Sequence, residues 1–389
     1  MKLKISEPVV VAAGPESATT GWGVYQFPHL DRLSDGRLML AFADSSDTID
    51  AYGAERACYV SSDEGKTWER ANERALDPLR GLLLPNGDRI QFIEQNSIPI
   101  TDDMVLPPAV GKHGSRYYHR ADEMPENICP RTWVMRRVSA EHPEGVDEFV
   151  RLDWPDMLIQ SGSGIVVPPQ PWGELRMDPD GALWMPTYTG GYDPDTGELR
   201  PYYNNYLLRS IDGGKSWQVI NVLPYRPEEH LDDFLTYDRE GYNENSITFA
   251  PDGSYVRLVR SDGGSFVRVK GTCYLVRSTD KGLTWSDPVP FDDRGVWPQL
   301  LTLKCGVTLA SYGRPGFFIR ATEDPACLKW EERIRLVEDG TRKNVATCSY
   351  SYLFPLDDRT AGLAYTDFTV KDENGVARKT VLFRTITVE

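Results

Sequence analysis

One pattern recurs along this chain: a short run of alternating apolar and polar residues, a tight polar turn, then a second alternating run. It is legible at 27–43 (FPHLDRLSDGRLMLAFA), 79–94 (LRGLLLPNGDRIQFIE) and 172–188 (WGELRMDPDGALWMPTY). It returns at 243–260 (NENSITFAPDGSYVRLVR), 297–314 (WPQLLTLKCGVTLASYGR) and 350–367 (YSYLFPLDDRTAGLAYTD). Alternation with period two sends successive side chains to opposite faces, so each half reads as a β-strand. Asp-Gly or Asn-Gly between the halves supplies the positive-φ positions of a hairpin turn. Six antiparallel hairpins are therefore expected. The turn glycines Gly36, Gly87, Gly181, Gly253 and Gly306 leave their widest interval between Gly87 and Gly181. That interval holds a Pro-rich, polar stretch at 96–130, and the chain turns strand-like again at Arg131 and at Glu148. We read 1–389 as one domain with a long insertion at about 96–130 in its second repeat. Long loops in compact domains are functional or disordered; this one either walls a substrate cleft or merely decorates the fold. The segment KLKISEPVVVAA (2–13) is expected to supply an outer strand beside VARKTVLFRTITV (376–388).

A second motif follows several of the hairpins. Ser61 to Trp68 (SSDEGKTW), Ser210 to Trp217 (SIDGGKSW) and Ser278 to Trp285 (STDKGLTW) all fit S-x-D-x-G-x-[T/S]-W, and 321–330 (ATEDPACLKW) is a degenerate relative. The Asp side chain can accept backbone N–H groups of its own turn, Gly takes the left-handed position, and Trp packs the turn onto the strands.

Composition narrows the class. The 389 residues carry 43 Lys+Arg against 58 Asp+Glu, a net charge of −15. A nucleic-acid or anionic-membrane binder needs a basic footprint that this balance does not supply, although local Arg can still line a pocket for an anionic substrate. No run of about 18 apolar residues is present, so no membrane span is expected. The start of the chain lacks the apolar stretch of a signal peptide, so a cytoplasmic location is expected. Six cysteines form no C-x-x-C pair and read as small buried hydrophobes in a reducing compartment. Only five His are present, without H-E-x-x-H, so no zinc site is expected. No metal ligands are assigned and no cofactor is expected; a structural calcium, which propellers sometimes carry, is not assigned to any residue set. Oligomeric state is not legible.

The S-x-D-x-G-x-T-W motif resembles the Asp-box of the BNR-repeat proteins, typified by the sialidases (neuraminidases), and the resemblance extends from about residue 25 to 367. It implies an all-β, six-bladed β-propeller of four-stranded antiparallel blades, closed by the N- and C-terminal strands, with the site at one axial end of the channel. The Asp-boxes themselves mark the fold and lie on the blade periphery. Innermost strands would open each repeat, offering His29, Arg80, Glu174, Arg176, Glu244, Gln299 and Tyr350 to the channel. Polar groups there are costly unless paired or wet.

Residue by residue, the resemblance implies a glycosidase site acting on carbohydrate. A Glu near the start of an inner strand, followed sixteen positions later by an Arg past a D-G turn, matches Glu244 and Arg260. A late Tyr in a YS-x-L context matches Tyr350, and an Arg in the preceding blade matches Arg314. A loop Asp about a dozen residues before the first Asp-box matches Asp50, with Asp47 as its rival. A sialoside carries a carboxylate on its anomeric carbon, so a neutral Tyr hydroxyl activated by Glu attacks where an anionic nucleophile would be repelled. The loop Asp would protonate the leaving oxygen, and Arg side chains would clamp the substrate carboxylate.

One position departs. Gln26 stands in YQFP where the family has the first Arg of its clamp. A charged hydrogen bond of this kind contributes about 1.5–3 kcal/mol, so the terminal sugar is expected to be something other than ordinary sialic acid, acidic or neutral, unless Arg80 or Arg176 substitutes. His29 is a further acid or base candidate. A polysaccharide lyase, with His29 or Tyr350 as base and an Arg on the uronate, and a non-catalytic carbohydrate-binding propeller are the alternatives. Trp22, Trp172, Trp184, Trp297, Tyr188 and Tyr192 flank the inner strands and could stack on sugars or pack between blades. The Pro-rich VVPPQPWGEL (166–175) reads as a rigid loop into the third repeat.

Overall fold

The computed structural model describes all residues except 34, 49–55, 72–80, 94, 114, 130, 193–198, 226–240, 262–272 and 342–344. Among the described residues every regular element is a strand, and no helix is long and apolar enough to cross a membrane.

Most of the described strands group into six antiparallel units, each opened by one of the expected hairpins. Unit 1 comprises Gln26–Arg32, Leu38–Ala43, Arg56–Ser61 and Glu69–Arg70. Unit 2 is Gly81–Leu83, Arg89–Ile93, Thr132–Val138 and Val146–Asp153. Unit 3 is Arg176–Met177, Leu183–Tyr192, Leu199–Ser210 and Ser216–Leu223. Unit 4 is Asn245–Phe249, Tyr255–Arg260, Cys273–Ser278 and Val289–Asp292. Unit 5 is Val296–Thr302, Thr308–Gly313, Phe317–Thr322 and Ile334–Val337. Unit 6 joins both ends of the chain: Tyr352–Pro355, Thr360–Asp367 and Arg378–Val388 are flanked by Leu3–Ile5 and Val9–Glu16, both antiparallel to Arg378–Val388.

The widest interval between hairpin glycines is itself structured. Within 96–130, Ile98–Pro99, Gly111–His113 and Arg116–Arg120 join Leu158–Gly162 and Ile165–Val167 in a separate five-stranded sheet. The outer strands of units 2 and 3 also pair in parallel, Arg151 with Ser216 through Asp153 with Gln218, fusing the two units into one eight-stranded sheet.

Much of the core lies between neighbouring units. Leu301, Leu309 and Phe317 of unit 5 pack on Leu353, Leu363 and Ile386 of unit 6. Leu30, Leu40 and Phe42 of unit 1 pack on Ala364, Val381 and Phe383 of unit 6. Units 2 and 3 share Phe92, Trp133, Met135, Leu208 and Trp217. The six cysteines are free, and all but Cys305 are buried.

The recurring Ser-Asp-Gly-Trp turns account for part of this docking. In the first, Ser61 Oγ donates to Asp63 and accepts from Gly65 N at 2.8 Å, Asp63 accepts from Thr67 N at 2.9 Å, and Trp68 Nε1 donates to Gly65 O at 3.0 Å. The turns at Ser210 and Ser278 repeat the set, and Trp330 Nε1 donates to Cys327 O at 2.8 Å in the degenerate copy, where Cys327 takes the positive φ. These bonds hold the carboxyls of Asp63, Asp212 and Asp280 down at about 2. In Asp63 and Asp280 the largest influence is the threonine hydroxyl of the turn. In Asp212 burial is the largest influence and pushes upward, but the Ser216 and Ser210 hydroxyls and the backbone N–H groups together outweigh it. Each turn glycine then abuts the preceding unit. A Cβ on Gly65 would fall 2.1 Å from Phe383 of unit 6, one on Gly214 2.9 Å from Met135 of unit 2, and one on Gly282 3.1 Å from Trp184 of unit 3.

This contact separates two kinds of glycine. Gly65→Ala meets both a left-handed φ of 85° and the Phe383 ring, whereas Gly36→Ala meets a φ of 91° in open space. Urea denaturation is expected to show a loss of about 2–4 kcal/mol for Gly65→Ala, from strain plus overpacking. Gly36→Ala should lose about 1–2 kcal/mol, from strain alone. Equal losses would show that the turn does not dock as described.

Candidate active site

The hairpin of unit 4 places the first pair. Its turn closes with Gly253 N donating to Ala250 O at 2.9 Å and Ala250 N to Ser254 O at 2.8 Å. The ladder runs from Phe249 opposite Tyr255 to Asn245 opposite Val259, and Arg260 N donates to Glu244 O at 2.8 Å just beyond it. The sixteen-residue spacing thus becomes a cross-strand pair. Arg260 Nη1 donates to Glu244 Oε2 at 2.6 Å, and both side chains are buried.

Two strained bulges place the next residues. The inner strand of unit 1 skips register between Gln26 and His29, and that of unit 5 between Val296 and Gln299. The skipped residues are Phe27-Pro28 and Trp297-Pro298, and proline, lacking an N–H, suits a break in the ladder. Phe27 and Trp297 take φ of 57° and 44°, costing about 1–2 kcal/mol each. The consequence is a sandwich: Phe27 meets the Tyr350 ring edge-on at 4.6 Å between centroids, and Trp297 stacks on it at 5.0 Å. The Tyr350 hydroxyl donates to Glu244 Oε1, and Trp297 N donates to Glu244 Oε2 at 2.7 Å. Ser349, before Tyr350, has φ of 65° and is fixed by its Oγ donating to Gly316 O at 2.9 Å.

Arg314 stands beside this pair. Its Nη2 donates to Cys348 O at 2.7 Å, and its guanidinium lies 5.8 Å from the Tyr350 ring centre and 4.9 Å from that of Trp22. Trp22 in turn clasps Asp47: Trp22 Nε1 donates to Asp47 Oδ2 at 3.0 Å, and Asp47 N donates to Trp22 O at 3.1 Å. Gly23 is required at that crossing, since a Cβ there would fall 2.1 Å from Asp47 N.

A cavity of about 350 Å³ opens over these groups, a size suited to a small ligand. Of the residues expected from the sequence, Glu244, Tyr350 and His29 line it, together with Asp47, Phe27 and Trp297. His29 is buried and packs against Tyr352 and Trp297. Arg260 and Arg314 touch the lining side chains without lining the cavity themselves. Gln26, Glu174, Arg176 and Gln299 do not line it. Glu174 accepts from Arg176 Nη2 at 2.5 Å, and Arg176 lies over the Tyr352 ring, making a buried polar pair among the inner strands. Gln26 and Gln299 are fully buried, and their side-chain amides find no partner among the described residues. Asp50 and Arg80 lie outside the described residues. Among the aromatics, Trp172 and Tyr188 line the cavity, Trp184 is buried core, and the Tyr192 side chain is outside the described residues. Among the described residues no group of three or more His, Cys, Asp or Glu is placed to hold a metal ion.

Sequence reading did not single out the two bulges, although a signal was present: FPHL at 27–30 and WPQL at 297–300 are aromatic-Pro breaks at the same place in different repeats. Arg56 and Arg116 on the cavity wall had no such signal.

The electrostatics divide one proton unequally. Burial alone would push the Glu244 carboxyl up, but the Arg260 guanidinium, the Tyr350 hydroxyl and the Trp297 N–H hold it below the 4.5 of an ordinary glutamate. Burial, and then the Glu244 charge, push the Tyr350 phenol well above its usual range, against the opposing pull of Arg260 and Arg314. At neutral pH the site therefore rests as carboxylate and neutral phenol.

The fold is of the class of β-propeller structures found among glycoside hydrolases. In particular, the chain is similar to a protein of unknown function from Dyadobacter fermentans, with 17% identity, a TM-score of 0.68, and coverage of 100% of this chain and 99% of that one. It is similar to an α-L-arabinanase of Penicillium chrysogenum complexed with arabinobiose, at 14% identity, TM-score 0.53 and 98% of each chain. It is also similar to a Hadza microbial sialidase at 17% identity and TM-score 0.51, covering 92% of this chain and 65% of that one. No protein-family model matches the chain, and no curated protein matches it in sequence.

The Glu244 assignment can be checked without substrate. A carboxyl held below its unfolded value contributes stability that is present above that value and disappears as pH falls through the folded one. Arg260→Met removes the main group holding it down. In a carboxyl-labelled NMR titration the Glu244 resonance is expected to move to higher pH in Arg260→Met, and acid unfolding to begin earlier. An unchanged titration would mean that Arg260 does not set the charge of Glu244.

Proposed function

We propose that this protein is a glycoside hydrolase built on a six-bladed β-propeller, removing a terminal sugar by a retaining route through Tyr350. The observation that carries the reading is the Tyr350 hydroxyl resting on the Glu244 carboxylate at the cavity wall. The six units read as blades of a closed ring, the Ser-Asp-Gly-Trp turns as Asp-boxes, and 96–130 as an insertion into one propeller domain. Support for the ring comes from the docking of unit 1 on unit 6 and from the pairing of both chain ends in unit 6.

In the first step Tyr350 Oη attacks the anomeric carbon while its proton passes to Glu244, and the glycosidic carbon–oxygen bond breaks. Asp47, the rival to Asp50 and a residue of the cavity lining, gives its proton to the departing oxygen. In the second step water attacks the same carbon and the bond from that carbon to Tyr350 Oη breaks; Asp47 takes a proton from the water, and Glu244 returns the phenol proton to the released Tyr350 oxygen. Phe27 and Trp297 hold the Tyr350 ring in place, and Trp22 positions Asp47. Gln26 is buried and does not line the cavity, so the guanidinium that the resemblance would place at that position is replaced by an amide. This favours a terminal sugar other than ordinary sialic acid. The arabinobiose bound in the Penicillium neighbour makes a neutral arabinoside the first substrate to try.

Tyr350→Phe and Glu244→Gln are each expected to lower kcat by ~10²–10⁴-fold, with circular-dichroism melting close to wild type. Progress should be followed by reducing-sugar release and by ultraviolet absorbance together. Turnover that yields an absorbing, unsaturated product would point to a lyase with His29 as its base, and near-wild-type rates in both variants would sink the assigned roles. The acidic limb of the kcat/KM profile is expected below pH 4.5, where Glu244 takes up its proton, and Arg260→Met should move that limb upward.

A further inference from the structure

The cavity has two unlike halves. One is the reacting end, with Phe27, Asp47, Glu244, Trp297 and Tyr350. The other is built from the separate five-stranded sheet and from unit 3, and nothing in the hydrolytic scheme uses it. Its floor is aromatic. Trp172 and Tyr188 stack at 6.0 Å and 22°, both are partly exposed, and both line the cavity. Tyr203 meets Tyr188 edge-on at 5.3 Å. The five-stranded sheet adds polar groups to the lining: Arg116, whose Nη1 donates to Tyr203 Oη at 2.5 Å, and Gln160.

This half is built rigid. Gln170 exchanges two hydrogen bonds with the backbone of Gln95, at 3.1 and 2.6 Å, and fixes the loop that carries Trp172. His119 joins Pro107 O and Ser161 Oγ, both at 2.8 Å, across the five-stranded sheet. That sheet seats on unit 3 through Gly190, where a Cβ would fall 2.8 Å from the buried Tyr118 ring. Partly exposed aromatic rings beside fixed hydrogen-bonding side chains form an amphipathic surface. Its chemistry matches a sugar ring, apolar across its C–H face and polar at its hydroxyl edge.

We propose that this half is a second sugar subsite, holding the residue next to the reacting sugar, so that the ligand is an oligosaccharide rather than a glycoside of a small alcohol. The neighbouring sugar lies with its C–H face on Trp172 and Tyr188 and its hydroxyls toward Arg116 and Gln160. The five-stranded sheet is then the element that selects for chain length. This rests on the reading of the Tyr350 end as a site for a terminal sugar.

The test is an array of defined oligosaccharides printed beside their constituent monosaccharides, probed with the full-length Tyr350→Phe protein so that bound chains persist. Chains of two or more residues are expected to be retained over their terminal monosaccharides, and adding Trp172→Ala should cut the chain-to-monosaccharide ratio by about tenfold. Arg116→Gln, a change of a partly exposed side chain, serves as the second variant and should lower the same ratio. An array without any bound chain overturns the subsite, as does a ratio that neither variant changes. Chain binding that depends on Trp172, combined with no turnover by the wild-type protein, would instead sink the hydrolase reading and leave the subsite standing. Turnover of aryl glycosides that ignores both chain length and Trp172 would do the reverse.

Discussion

A carboxylate withdrawn from water is the constraint on which the rest of this structure depends. Burying one costs several kcal/mol unless its oxygens are met by good partners. Glu244 is met by three: the Arg260 guanidinium, the Trp297 backbone N–H and the Tyr350 hydroxyl. Each comes from a different place in the chain. Arg260 is the far strand of unit 4, Trp297 is the bulge of unit 5, and Tyr350 is the approach to unit 6. The carboxylate is satisfied only when three units stand in their correct relation, so the arrangement of the units and the geometry of the site are one condition.

Backbone strain gathers at the same place. Tyr25, Phe27, Trp297, Arg314 and Ser349 all have positive φ without being glycine. Such residues cost about 1–3 kcal/mol each and persist only where surrounding packing over-determines them. Here the packing is the apolar layer between units 5 and 6 and between units 6 and 1. The strain turns two rings onto Tyr350 and directs the Trp297 N–H at Glu244, neither of which a regular strand would do.

Much of this was legible in the sequence, for a physical reason. Hairpin register is local, so alternation plus an Asp-Gly turn was enough to set Glu244 opposite Arg260. The same holds for the turn at Ser61, whose bonds all fall within eight residues. What could not be read is what depends on position across units. Glu174 and Arg176 open their hairpin much as Glu244 opens its own, yet they pair in the interior and do not reach the cavity. Gln26 occupies the expected place in the sequence, but the Phe27 bulge beside it breaks the alternation that would decide which way it points. The five-stranded sheet was invisible because its strands are short and drawn from two separated stretches, 98–120 and 158–167.

The parallel seam between units 2 and 3 bears on a different matter, the behaviour of open sheet margins. Units 1, 4 and 5 end in outer strands of two, four and four residues, too short to template another chain. Units 2 and 3 end in strands of eight residues each, and Phe149 and Val146 of the former are exposed. Left bare, these would be among the longest adhesive margins of the described residues. By bonding to each other from Arg151 and Ser216 onward, they use up part of the very backbone groups that would otherwise recruit a stranger. The seam thus gives two long margins a partner from within the same chain, and loosening it would reopen their backbone groups to whatever lies outside.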